Sequence, residues 1–265
     1  MFPRLLVTFM ALLSTAAAVT SFDAPQRKLT IRLGRSPSGS GRQAKVTCYY
    51  FPKFMVKEVD LGEVGADRLA ILPIPSGPAP ACTRAQGKAE MVVNPDDWSG
   101  YFKGVKNNLV FFDAPDGVNG GMGFAVYDSM TGKKIFEDSA VGDIAFLPAQ
   151  GDTVTISYTR VVDSKCNLPA DPAGCWQQIQ KTLGLNDFSQ PDCKPAYEKS
   201  AEELANGRCE AQRSKTRECF DKEIQIARNQ TKDATTVMAY PVEVSLGPAP
   251  AIKPAKGKLE CWPSD

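Results

Sequence analysis

Asp113, Asp116 and Asn119 lie close together in a glycine-rich stretch, "FFDAPDGVNGGMGFAVYD", that runs from Phe111 to Asp128. Side-chain oxygens this close could ligate calcium, which takes about six to eight oxygens, often from alternate positions of a loop. Here the spacing is three rather than two, and Gly123 stands where an EF-hand would place its glutamate, six residues after Gly117. The calcium expectation for Asp113, Asp116 and Asn119 is therefore an irregular site, and calcium is the one cofactor the pattern raises. As a phosphate cradle, "GVNGGMG" lacks the lysine–serine pair of a P-loop. It also precedes a β-like run, Phe124 to Tyr127, rather than a helix N-terminus that could hold phosphate. The stretch reads best as a long turn between strands, with glycines that permit positive φ.

A second acidic group, Asp96-Asp97-Trp98, places two carboxylates beside an aromatic ring. Two acids flanking a glycosidic bond, with a ring to stack on sugar, would suit a glycosidase. Neighbouring strand residues point to opposite faces, however, and Asn94-Pro95 makes this a turn. A carboxylate-based hydrolase of glycans or esters would have to draw on Asp96, Asp97, Asp113 or Asp116. The chain contains no histidine. That removes Ser-His-Asp and Cys-His catalysis and histidine-ligated metals, and no intact catalytic motif is present. The densest aromatic cluster is Tyr49, Tyr50, Phe51 and Phe54. It reads as core and edge, or as a contact patch for a partner protein or glycan.

Whatever chemistry exists is set in an exported chain. Arg4, the apolar run Leu5 to Leu13 and the small residues Ala16-Ala17-Ala18 form the pattern of a signal peptide over residues 1–18. The run is shorter than the roughly 20 residues that span a bilayer, and no later segment is apolar enough to cross one. The expected compartment is the periplasm or the secreted space. There are 31 basic and 30 acidic residues. Loss of Arg4 with the leader leaves neither sign in excess, so no global field draws nucleic acid. All eight cysteines follow the leader: Cys48, Cys82, Cys166, Cys175, Cys193, Cys209, Cys219 and Cys261. An even count in an exported chain argues for disulfides, and the absence of C-x-x-C argues against a redox or zinc motif. The most local partner for Cys82 is Cys48.

Alternating apolar residues predict strands over residues 28–33, 46–50, 54–60, 69–72 and 89–93. They also predict hairpins around Lys106-Asn107-Asn108 and around "DSMTG", a strand near 144–147 and a long strand over 154–162. Then the period changes. Asp171-Pro172 reads as an N-cap and first helical position, with Gly184 as the stop. A second helix begins at Pro195, carries Tyr197, Ala201, Leu204 and Ala205 on one face, and is expected to end at Asn206-Gly207. Cys219, Phe220, Ile224 and Ala227 mark a third. Strand alternation returns at Met238 to Leu246, where Pro241 argues for an edge position.

The expected fold is mainly β, of α+β class. It is an antiparallel body, sandwich-like or blade-like, with a cysteine-rich helical insertion over residues 163–234 before the last long strand. Residues 19–265 are expected to form one exported domain. The hairpin "FAVYDSMTGKKIFED" resembles a blade segment of β-propellers whose strands end in D-x-x-T-G-K, a fold that needs several copies where this chain has one. The expected role is binding or structural, with a protein or glycan partner. A carboxylate hydrolase and a secreted enzyme inhibitor are the alternatives.

Overall fold

The computed structural model describes residues 21–264, apart from 38, 76, 149–152 and 215. The expected export signal lies outside the described residues.

Five strands, β1 (Arg27–Arg35), β2 (Gln43–Tyr50), β3 (Phe54–Asp60), β4 (Arg68–Pro73) and β5 (Met91–Val92), form an antiparallel meander in sequence order. Side-chain alternation gives this sheet two apolar faces. Met55, Val59, Val46 and Cys48 share one core with Leu72 and Cys82. A disulfide joins Cys48 to Cys82, and the Tyr50 hydroxyl donates to the Pro80 carbonyl at 2.9 Å. The proline-rich segment after β4 therefore covers that face instead of joining the sheet, as proline's missing donor requires.

The second sheet begins with β6 (Tyr101–Lys106), β7 (Leu109–Val118), β8 (Gly121–Asp128), β9 (Lys134–Phe146) and β10 (Val154–Asp163). Three helices follow: α1 (Pro172–Leu183), α2 (Lys194–Ala211) and α3 (Arg217–Asp233). The chain then returns through β11 (Thr236–Leu246), β12 (Ala251–Pro254) and β13 (Glu260–Pro263). The strand order is β12-β11-β10-β9-β8-β7-β6, with β13 also paired to β11. The helices thus interrupt an antiparallel sheet between β10 and β11, and this insertion holds two of the four disulfides whole, Cys166–Cys175 and Cys209–Cys219, and one cysteine of a third, Cys193–Cys261. This is the β-rich body with a disulfide-rich helical insertion that the pattern predicts.

The centre of the second sheet is apolar on both sides. Val110, Phe112, Ala125 and Tyr127 pack against Phe51, Phe54, Val56, Leu69 and Ile71 of the first sheet. Phe111, Phe124 and Val126 face the other way, into a core shared with Tyr158, Tyr240 and the α1 residues Cys175 and Ile179. Phe22 closes that second core. Its ring meets Phe111 and Phe146 edge-on, at centroid distances of 5.3 and 4.9 Å, and lies over Gly104, where a Cβ would come within 2.5 Å of it.

Four expectations change. The "DAPDGVNGG" stretch is not a long turn: β7 continues to Val118 through an irregularity between Asp113 and Gly117. The actual turn is Asn119-Gly120, with φ of 53° and 76°, the two positive angles of a tight hairpin. The segments near 134 and 144 belong to one strand, β9, which pairs β8 with its first half and β10 with its second. Helix α2 runs through Asn206-Gly207 to Ala211. Its packing on α3 through Ala201, Ala205, Ile224 and Ala227 outweighs the roughly 1 kcal/mol that a mid-helix glycine costs; Leu204, expected on that face, is exposed. Strand β11 is not an edge. Pro241 falls in the gap between the residues that pair β13 (236–239) and those that pair β12 (242–245), where no ladder donor is demanded of it.

The close seat of Phe22 generates a stability prediction. Gly104→Ala should destabilise the protein by about 1–3 kcal/mol, the usual cost of overpacking, in denaturant unfolding. Phe22→Ala should then cost less in that background than in wild type, because both changes disrupt one contact. Additive effects would contradict the seat.

Candidate functional site

A groove of about 820 Å³ lies where three turns meet the N-terminal segment. Its floor is Phe51 and Phe54, each only 4% exposed. Its walls include Gln26, Lys53, Asn107, Asn108 and Met130. The β2–β3 turn supplies Phe51 to Phe54, the β6–β7 turn supplies the two asparagines, and the β8–β9 turn supplies Met130. Asn107 takes φ 56° to make its turn, a conformation that asparagine tolerates better than most residues. Asp128 shapes the third turn by accepting the backbone N–H groups of Met130 and Thr131 at 3.0 and 2.8 Å.

The fourth wall is the segment before β1. Asp23 accepts the Asn107 N–H at 2.6 Å and pairs with Lys106 at 3.3 Å. The Asp23 N–H donates to the Val105 carbonyl and the Gln26 N–H to the Tyr50 carbonyl, both at 2.8 Å. Residues 23–26 therefore bridge the two sheets at the groove. A volume of this size accommodates a ligand on the scale of a few residues, since binding clefts run about 300–1,000 Å³.

The structure distributes the sequence-singled residues differently. Asp113 is engaged by the Lys103 ammonium through both oxygens, at 2.8 and 3.0 Å. Asp116 is exposed on β7. Asn119 occupies the hairpin turn, where its carbonyl accepts the Trp262 indole N–H at 3.1 Å. Among the described residues no three aspartates, glutamates or cysteines converge as a metal site. Asp96 and Asp97 lie in a turn held by Asn94, whose side chain accepts the Asp96 N–H at 3.2 Å. Trp98 is half-buried and packs against the intersheet core. None of these four aspartates lines the groove.

The expected contact patch is largely covered, with Phe51 and Phe54 reaching the groove only as its floor. Tyr50, Phe51 and Phe54 are buried and Tyr49 is half-buried. Strand alternation turns Tyr50 into the core under the proline-rich segment, and Tyr49, Phe51 and Phe54 towards the intersheet core. Burial, with the nearby Glu58 charge, pushes the Tyr49 hydroxyl up to about 12. All eight cysteines are paired as Cys48–Cys82, Cys166–Cys175, Cys193–Cys261 and Cys209–Cys219.

Buried polar groups that no local sequence pattern marks include the Lys57–Glu90 ion pair and two sets that tie strands together. Asp138 on β9 accepts the Tyr158 hydroxyl at 2.6 Å and Arg160 Nε at 2.7 Å, and Arg160 donates onward to the Tyr240 hydroxyl at 3.1 Å. Burial, then the Asp138 charge, pushes the Tyr158 hydroxyl well above its ordinary range. Burial opposes the Arg160 charge, but the Asp138 carboxylate outweighs it and holds Arg160 protonated. Each group satisfies the next, so this set fastens β9, β10 and β11 together. Glu58 on β3 accepts the Phe102 N–H at 2.8 Å and ties the first sheet to β6. Burial raises its carboxyl above the usual range, against the pull of that N–H and of Lys45.

No protein-family model, curated protein or solved structure matches the chain.

Two measurements follow. Because the folded Glu58 pKa is raised, the folded state keeps a proton that the unfolded chain loses above about 4.3. Its contribution to stability therefore falls as pH rises through the window between that value and the folded one. Glu58→Gln, which keeps an acceptor for Phe102, should raise the melting temperature at neutral pH and lose that advantage near pH 4. Equal melting temperatures at both pH values would contradict a raised Glu58. For calcium, Asp113 would first have to release Lys103, so excess calcium or a chelator should leave the melting temperature unchanged. A calcium-dependent rise abolished by Asp113→Asn would restore the metal site.

Proposed function

We propose that the chain is an exported binding module, periplasmic or secreted, that engages a segment of another protein in the groove between its two sheets. The export pattern over residues 1–18 and the pairing of every cysteine support the compartment. The groove carries the reading. It has a fixed aromatic floor, walls of side-chain amides from Gln26, Asn107 and Asn108, and an adaptable Met130 that is 56% exposed at its rim. Amides can satisfy peptide backbone groups, and methionine adapts to varied apolar side chains. A glycan fits less well: Phe51 and Phe54 lie too deep to present a ring face to a sugar. A secreted inhibitor is the same geometry with an enzyme as the bound protein.

The test is a photo-reactive residue at Asn108 or Met130 in the native compartment, with Lys199, which is exposed on α2, as the control position. A discrete protein adduct from Asn108 and Met130 but not from Lys199 is expected. No adduct, or the same adducts from all three positions, would defeat the reading. Turnover of a glycan or ester panel lost on Asp113→Ala or Asp116→Ala would favour the hydrolase instead.

A further inference from the structure

From Ala24 to Lys57 the chain carries eight basic residues and no acidic one. Four of them, Arg27, Lys28, Arg32 and Arg35, lie on β1. Among the described residues this strand ends its sheet and is paired on one side only, by β2. It is exposed at every position except Leu33, which is half-buried. Among the described residues none of the four cations forms a salt bridge, although the Lys28 charge acts on the Glu58 carboxyl. Arg27 instead lies 4.0 Å from the centre of the Tyr50 ring, and Lys28 lies 5.0 Å from that of Tyr49. Leu29 and Ile31, 39% and 40% exposed, alternate with Lys28, Thr30 and Arg32. The strand therefore offers an unpaired backbone edge, one cationic face and one apolar face.

We infer that an acidic, extended segment of a partner protein adds to this edge as a sixth strand. A strand laid beside β1 gains its ladder hydrogen bonds at a spacing of about 4.8 Å. Acidic side chains at alternate positions would meet Lys28 and Arg32, while intervening apolar ones cover Leu29 and Ile31. A second copy of the chain is the disfavoured occupant, because its β1 would set like charges opposite one another. The edge also leads to the groove: Gln26, which lines the groove, immediately precedes Arg27. The inference rests on the protein-binding reading of the groove, and names the chemistry of the partner and the surface it runs along.

The probe is a nine-residue peptide of alternating glutamate and valine. Its control has the same charge but two central prolines, which prevent strand pairing. Binding is followed by calorimetry, and the contacted backbone by hydrogen exchange. The alternating peptide should slow exchange in β1 and bind at least about tenfold more tightly than the proline control. K28E/R32E should weaken it by at least about tenfold with only a small fall in melting temperature, the cost of the Lys28 contacts with Tyr49 and Glu58. K28Q/R32Q, which removes charge without reversing it, should fall between.

Equal binding of the two peptides, no protection of β1, or equally tight binding of an oligonucleotide or of anionic vesicles would overturn the inference. So would a dimer that forms through β1 and excludes the peptide. Photo-crosslinking at Asn108 separates the two claims: loss of peptide binding with crosslinking retained removes the strand addition alone, whereas loss of crosslinking removes the groove.

Discussion

The central stretches of β7 and β8 have no solvent side. "LVFF" at Leu109 to Phe112 and "FAVY" at Phe124 to Tyr127 are apolar at consecutive positions, so both faces must be covered. This single constraint organises the rest of the chain. The first sheet covers one face through Phe51, Phe54, Val56 and Ile71. The helical insertion, Phe22 and the outer strands of the second sheet cover the other. Burying a large aromatic or aliphatic side chain contributes about 1.5–3 kcal/mol relative to leaving it exposed, so neither cover is dispensable.

The covers are irregular pieces, and each is pinned. Cys48–Cys82 anchors the proline-rich segment over the outer face of the first sheet. Cys193–Cys261 joins the start of α2 to β13 across 68 residues, a loop long enough for its closure to restrict the unfolded chain substantially. Asp23 clamps the segment that carries Phe22. The fully satisfied Asp138–Arg160–Tyr240 chain stitches three strands where helices break the sheet's connectivity. The groove is a product of this assembly: it lies where the bridging segment and three turns meet at the end of the intersheet core.

Much of the fold was legible because local rules agreed with tertiary demands. Alternation located most of the strands, Asp171 caps α1 by accepting the Gly174 N–H at 3.0 Å, and Cys48 pairs with Cys82. The misses occur where distant contacts override local preference. Packing on α3 carries α2 through Asn206-Gly207, and two short partners leave Pro241 a gap. The short strands β12 and β13 lie in sequence that reads as a proline-rich connection and tail. The groove was not legible, because it gathers residues 23–26, 51–54, 107–108 and 129–130, which no local pattern links. The cationic run from Arg27 to Lys57 was legible but hidden by the near-neutral total: whole-chain charge averages away a one-sided strand.

A doubly covered sheet thus supports an open, cationic edge beside an amide-lined groove. Rigidity at the centre and availability at the edge must coexist in the same molecule. Residue-resolved hydrogen exchange on the oxidised protein without any partner measures both. The account predicts that amides of Phe111, Phe112, Ala125 and Val126 exchange only with global unfolding, while alternate amides along Arg27 to Arg35 exchange orders of magnitude faster. Protection of every β1 amide to the level of β7 and β8 would show that the edge is already occupied, and would contradict it.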